Sequence, residues 1–549
     1  MAWGGGNTNS VDGWCKRLRS NDSTFTSLHI LSFRRVTTAE LGLLFDALSE
    51  NTTLKELYAS GHSLDAAAAK KLATALELNS TLERLNIGND RMGGNGEVVK
   101  ALAEGVAKNK GLVRLDMENK GLGGHGGSDD GAGSMLALAE ALEKNTDLQE
   151  LNLARNKLTD QDIDVLCKAL AHNRGLKVLD LSLNSFGEHG TRAIATLLAG
   201  NSPSEDGVGL REIDLSDNEL TEEGGVAIGE ALKTNKTLQR LRMSSSMDPP
   251  LPVEEGDEDK LQWDDDLAVL NKPLSPDQEA EIRSDGDAVL ETLSESLKHN
   301  NSLQEIWMDY CNISSVGVTF LAEALRSNQG LTTVRMRNNR IGNRGARALG
   351  AALTPSSSSG YNTTLKNLEL GSNKVGVLGW HGLVGASSLE SLGLYENGIN
   401  VLHEAIDNHL LSTSSSPTST AAPSLSAAIP NGASTAHHVL EKLAHLDVGC
   451  NGISREDFTQ LGVSLIKGAL PSLIRLEIAG NGDRSQAPQD PEHGDGDDDD
   501  DGDNEGGDDS EPRPDDEQTA WERVADRIEE ARPGLIIHWK GAGAMQQQS

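Results

Sequence analysis

Apolar side chains in this chain recur in one phrase, Leu-x-x-Leu-x-Leu-x-x-Asn-x-Leu, followed each time by an Ala/Leu-rich stretch that ends in Asn. The clearest copies are Leu148-Leu151-Leu153-Asn156-Leu158, Leu176-Leu179-Leu181-Asn184-Phe186, Leu210-Ile213-Leu215-Asn218-Leu220 and Leu331-Val334-Met336-Asn339-Ile341. In the first of these, Leu148, Leu151 and Leu153 point inward from a short strand, and the Asn156 amide bonds backbone groups where the chain turns. The segment after it, with Ile163, Val165, Leu166, Ala169 and Leu170, has apolar residues at helical spacing. Each copy is therefore a strand plus a helix whose apolar side is covered only by neighbouring copies.

This spacing resembles the leucine-rich-repeat signature. Repeat starts fall at Leu28, Leu54, Leu82, Leu112, Leu148, Leu176, Leu210, Leu238, Leu303, Leu331, Leu365, Leu389, Leu443 and Leu473, about fourteen repeats. Pairs such as 54 and 82, 148 and 176, or 303 and 331 differ by 28, the long period of helix-bearing repeats. The implied fold class is α/β: a leucine-rich-repeat solenoid or horseshoe, with parallel strands on the concave face and helices on the convex face. In a solenoid, length reports repeat number, so 549 residues need no second globular domain.

Composition narrows the chemistry. Cys15, Cys167, Cys311 and Cys450 are too scattered for a Cys-x-x-Cys metal or redox motif, and Cys311 stands at the Asn position of its repeat. Met1 to Ser10 is polar and no run approaches a membrane span, so the expectation is a reducing, cytoplasmic setting that extends to the nucleus or its periphery, with no membrane partner. Sequons at Asn51, Asn79, Asn235 and Asn362 fall where a helix ends and the next strand begins, an unfavourable place for a glycan. A net charge of −35 argues against nucleic acid. Residues 490–517 alone hold sixteen carboxylates against Arg513. They read as a disordered solubilising segment, or else as an acidic arm that steers a basic partner.

The domain boundaries follow. Residues 1–27 form an N-terminal cap in which Trp14, Leu18 and Phe25 seal the first repeat; 28–486 form the solenoid; 487–517 form the acidic segment; 518–549 form a closing helix, with Trp521, Val524, Ala525 and Ile528 on one face, and a strand at Gly534 to Ile537. Insertions are placed at about 246–290, which includes Pro249-Pro250-Leu251-Pro252, and at 412–436, rich in Ser, Pro, Thr and Ala, both on the rim or convex side.

No phosphate loop, nucleophile elbow or His-Glu-x-x-His motif occurs. The Gly121 to Gly133 run reads as a loop, no metal ligand set is indicated and no cofactor is expected. The repeats are similar to those of ribonuclease inhibitor and immune receptors, through phrases such as Asn300-Asn301-Ser302-Leu303 and Leu321-Ala322-Glu323-Ala324-Leu325. A receptor reading would need a nucleotide-binding module ahead of the repeats, and this sequence shows none. The stretch Leu446-Asp447-Val448-Gly449-Cys450-Asn451 with Leu470-Pro471-Ser472-Leu473 and the acidic run beyond it resembles the end of the Ran GTPase-activating protein's array. That resemblance implies a small-GTPase partner and faster GTP hydrolysis by orienting the GTPase's own glutamine. It also implies an important arginine in an early inter-repeat loop. The nearest equivalent is Arg91, with an ordinary solvated arginine as the plain alternative. A non-catalytic scaffold or adaptor is the competing function, and a monomer is expected in either case.

Side chains alternate along a strand, so the residue between the two inner positions projects from the strand face. That column reads Asp116, Asn152, Asp180 and Asp214, then Arg242, Trp307 and Arg335. Around Trp307 the face should also carry Asp309, Tyr310 and Arg337. Trp, Tyr and Arg are enriched at interface hot spots, and only 3% of the chain is aromatic. These six residues, Arg242, Trp307, Asp309, Tyr310, Arg335 and Arg337, form the candidate partner site. The plain alternative is a solvated face with Trp307 packed against its neighbours.

Overall fold

Every repeat leucine predicted to point inward is removed from water. Leu148, Leu151 and Leu153 are each at most 1% exposed, as are Leu54, Leu57, Leu82 and Leu85 two and three repeats earlier. Burying such a side chain is worth roughly 2 kcal/mol. The computed structural model describes residues 10–124, 132–200, 209–244, 267–355, 360–414, 439–481 and 514–539. Its two compact units comprise 10–244 with 275–339, and 267–274 with 340–539. The fold is that of a leucine-rich-repeat solenoid, an α/β stack with an open parallel sheet.

In the first unit β1 (Ser27–His29), β2 (Glu56–Ser60), β3 (Arg84–Gly88), β4 (Arg114–Asp116), β5 (Glu150–Asn152), β6 (Val178–Asp180), β7 (Glu212–Asp214), β8 (Arg240–Arg242), β9 (Glu305–Trp307) and β10 (Thr333–Arg335) pair in chain order, all parallel. The helices between them lie on one side and pack on each other in sequence. In β2 to β10 each strand begins two residues after its repeat leucine. The first repeat differs: Leu28 pairs with Leu57, so Leu28 is the middle of its strand and Phe25, 6% exposed, takes the start position. The start at Leu28 is thus three residues late, because an aromatic replaces the leucine there.

Two asparagine ladders tie the repeats together. In one, Asn156, Asn184 and Asn218 turn their amides inward; Asn184 Nδ2 donates to Leu153 O and Leu181 O at 3.1 and 2.8 Å. The other lies where helix meets strand. Asn79 Nδ2 donates to Leu48 O and Asn51 O, both at 2.8 Å, while its Oδ1 accepts from Thr81 N and Leu82 N. Asn51, Asn79, Asn235 and Asn362, the sequon residues, are all members of this second ladder and no more than 3% exposed. The amide nitrogen a glycan would need is committed to the backbone at Asn51, Asn79 and Asn235.

In the second unit β11 (Asn367–Glu369), β12 (Ser391–Gly393), β13 (His445–Asp447), β14 (Arg475–Glu477) and β15 (Ile536–His538) also pair in order and parallel. The last belongs to the terminal segment. Ahead of it the helix Pro514–Ala531 buries Trp521, Ala525 and Ile528, and Trp521 stacks on Phe458 with ring centroids 5.1 Å apart. Arg532 closes this end by donating to Ala469 O and Leu470 O at 2.9 Å.

The insertion boundaries shift. Of 246–290, residues 245–266 lie outside the described residues, and the repeat helix already resumes at Asp285. Between them the helix Pro276–Ile282 packs on Ser315–Leu325. Residues 267–272 are held on the outside of the helix Gly342–Leu353, where Arg344 donates to Lys272 O and Val269 O and Arg347 to Asn271 Oδ1. The insertion at 412–436 falls outside the described residues from 415 onward; 412–414 end the helix His403–Ser414. Of the acidic segment, 514–517 belong to the terminal helix and 487–513 lie outside the described residues.

Candidate functional site

The strand register fixes the geometry of the candidate face. Asp180 stands beside Asp214, Asp214 beside Arg242, Arg242 beside Trp307, and Trp307 beside Arg335. Because these strands are three residues long with only the central residue turned inward, the flanking side chains project together from the sheet.

The Trp307 indole is partly buried and held between two guanidiniums, with Arg242 Cζ 4.2 Å and Arg335 Cζ 4.8 Å from the ring centroid. Each such contact contributes about 0.5–1 kcal/mol at a site open to water. The guanidiniums are themselves anchored. Arg242 meets Glu212 at 2.7 Å and Asp214 at 3.7 Å, and Arg335 Nε meets Asp309 Oδ2 at 2.5 Å. Two donors stay unsatisfied inside the cluster: Arg242 Nε and Trp307 Nε1 are buried without an acceptor.

Asp309 is only 3% exposed, so its place in the patch is to hold other groups rather than to meet a partner. One oxygen takes Arg335, the other accepts the Arg337 amide at 2.8 Å, and its own amide donates to Ser244 Oγ at 3.1 Å. Tyr310 is 46% exposed with φ +60, a left-handed conformation that suits Asn or Gly better than an aromatic residue. That backbone sends the ring into solvent. Arg337 is partly exposed beside them.

Arg91 lies elsewhere on the unit. It is exposed in the loop between β3 and the short turn Met92–Gly94, separated from the Trp307 group by β4 to β7. Its backbone amide donates to Asn89 Oδ1 at 3.2 Å. The Gly-rich segment after β4 lies outside the described residues over 125–131.

A residue that the repeat pattern did not flag stands just before that segment. Lys120 occupies the inward asparagine position of its repeat and is 1% exposed, with Nζ donating to Ser60 Oγ at 2.8 Å. Burial pulls its amine below the ordinary lysine range. On the acidic side of the face, burial pushes the Asp214 carboxyl up, with neighbouring Asp180 adding to the shift. Among the described residues no group of His, Cys, Asp and Glu is arranged to hold a metal ion, and no helix is long and apolar enough to cross a membrane.

Comparison with known proteins agrees with the stacked strands. The Leucine Rich repeat family model matches residues 144–167, 210–229 and 327–350. Human NACHT, LRR and PYD domains-containing protein 12 is 30% identical over 221 residues, 40% of this chain and 19% of that protein. The Bos taurus NACHT, LRR and PYD domains-containing protein 3 is 32% identical over 225 residues, 40% of this chain and 20% of that protein. The Drosophila melanogaster Protein Cep78 homolog is 24% identical over 203 residues, 37% of this chain and 22% of that protein. The chain thus spans about a fifth of the length of these relatives. Among solved structures, an internalin from Listeria monocytogenes is 14% identical with a TM-score of 0.31, covering 69% of this chain and 88% of that one. The matched segments and the stacked parallel strands agree on a leucine-rich-repeat fold.

Proposed function

We propose that this protein is a non-catalytic scaffold or adaptor that binds a protein partner on the strand face of its first unit. The observation carrying this reading is the in-register row Arg242, Trp307 and Arg335, a stacked aromatic and two arginines on a sheet face whose helices all lie on the other side. The similar repeats of the NACHT, LRR and PYD domains-containing proteins favour this reading over GTPase activation. Arg335 and Tyr310 are the contact residues, Trp307 supplies the stacked core, and Asp309 positions Arg335 and Arg337.

The test is the affinity of a purified partner for wild type, Trp307→Ala and Arg335→Ala. A hot spot predicts a loss of about 2 kcal/mol or more for Trp307→Ala. Affinity unchanged in both variants would place the interface elsewhere. The Ran-type reading is decided by single-turnover GTP hydrolysis with Ran and other small GTPases: acceleration that disappears in Arg91→Ala would favour it over the scaffold.

A further inference from the structure

The strand face of the first unit reverses its charge along the strand order. Over β4 to β7, counting each strand and the position two beyond it, six carboxylates project (Asp116, Glu118, Glu150, Asp180, Glu212 and Asp214) against one guanidinium, Arg114. Over β8 to β10 the same positions hold Arg240, Arg242, Arg335 and Arg337 against Glu305 and Asp309. The two regions belong to one run of consecutively paired strands.

Local pairing leaves both signs in excess. Glu118 and Glu150 meet Arg155 and Arg114 only at 3.4 and 3.5 Å, whereas Asp180 and Asp214 stand side by side with Arg242 at 3.7 Å from Asp214. A cation placed over β6 and β7 would relieve that like-charge contact. On the other side, Arg242 Nε and Trp307 Nε1 lack acceptors, and Glu212 is shared between Arg240 and Arg242. Both of these donors are buried, so an added carboxylate would sit instead against the part-exposed Arg240, Arg335 and Arg337, on a side where four guanidiniums stand against Glu212, Glu305 and Asp309.

We infer that the occupant of this face is a partner segment whose charge reverses along its length, basic where it crosses β4 to β7 and acidic where it crosses β8 to β10. Complementary potentials of this kind fix register and suppress wrong partners. Strands lie about 4.8 Å apart, so the centres of the two regions are separated by roughly 17 Å, a span of about five residues in an extended segment. The inference rests on the strand-face reading above but is separable from it: a natural partner can depend on Trp307 without carrying this charge pattern.

The test uses the full chain and three labelled peptides of equal length, with binding read by fluorescence anisotropy at low salt. One peptide has a lysine block and a glutamate block separated by about five residues, one has the same residues in alternation, and one is all lysine. The block peptide is expected to bind about tenfold more tightly than the alternating one. Arg335→Glu should weaken the block peptide about tenfold while leaving the all-lysine peptide unchanged or tighter, whereas Glu150→Lys should weaken both. Arg337→Glu, at a second part-exposed arginine of the same strand end, repeats the first comparison should Arg335→Glu lower the melting temperature. Equal binding of block and alternating peptides overturns the proposal. So does a block-peptide affinity that neither arginine substitution changes, since that result would locate its binding on an acidic segment away from this face.

Discussion

A single buried amide holds several backbone groups at once in this stack. Replacing Asn79 by Ala would strand Asn51 O, Thr81 N and Leu82 N and remove one of the two donors to Leu48 O, which keeps the Asn51 amide. The expected cost is about 2–4 kcal/mol in denaturant unfolding, far above a surface substitution. Strand alternation makes a sharper contrast one residue apart. Leu151 is 1% exposed, and Leu151→Asp should cost more than about 3 kcal/mol by leaving an unpaired charge in the core. Asn152 projects from the face and its Oδ1 accepts from Ala154 N, a bond that Asn152→Asp retains, so that change should be tolerated. Equal damage from both would mean the register is wrong. Asp214 adds a pH dependence. Its folded carboxyl lies above the ordinary aspartate range, so the folded state binds that proton more readily than the unfolded chain. This group therefore disfavours folding at neutral pH, and the cost disappears as pH falls through the folded value. Asp214→Asn should raise the melting temperature relative to wild type at about pH 7 and lose that advantage toward about pH 4; a gain that stays constant with pH would contradict the assignment.

At the scale of elements, thirteen of the fourteen repeat strands could be read from leucine spacing because the period-two burial of a strand and the 28-residue step agree. The first start was misplaced only because Phe25 stands in for leucine. Other features left no such mark. A lysine at an inward position, as at Lys120, looks like a surface residue until its aliphatic stem is seen buried with the amine on Ser60. The start of the terminal helix was hidden because Asp515, Asp516 and Glu517 continue the acidic composition, although carboxylates also suit a helix N-terminus. That helix and β15 close the second unit through Trp521, Ile528 and Arg532. Replacing 487–513 by a Gly/Ser linker of the same length should then alter stability by no more than roughly 0.5 kcal/mol, whereas Arg532→Ala should lower the melting temperature by removing the donors to Ala469 O and Leu470 O. A clear drop on replacing the acidic residues would show that they help hold the fold.

For the molecule as a whole, a charge of −35 favours association with basic surfaces at long range, while the arginines around Trp307 provide a local exception that fixes where and how a partner sits. The candidate face was legible in the sequence as a column of residue types. Their anchoring was not: the burial of Asp309, the stacking of Trp307 between two guanidiniums and the left-handed backbone at Tyr310 emerge only once the strands are in register. The proposed partner site is the strand face of the first unit. Amide hydrogen exchange of the full chain, with and without a purified partner, measures this most directly. Added protection is expected in the strands and following turns of β5 to β10, centred on 305–310 and 333–338, with the helices 222–231 and 315–325 unchanged. Protection confined to those helices, or to the loop around Arg91, would contradict that placement.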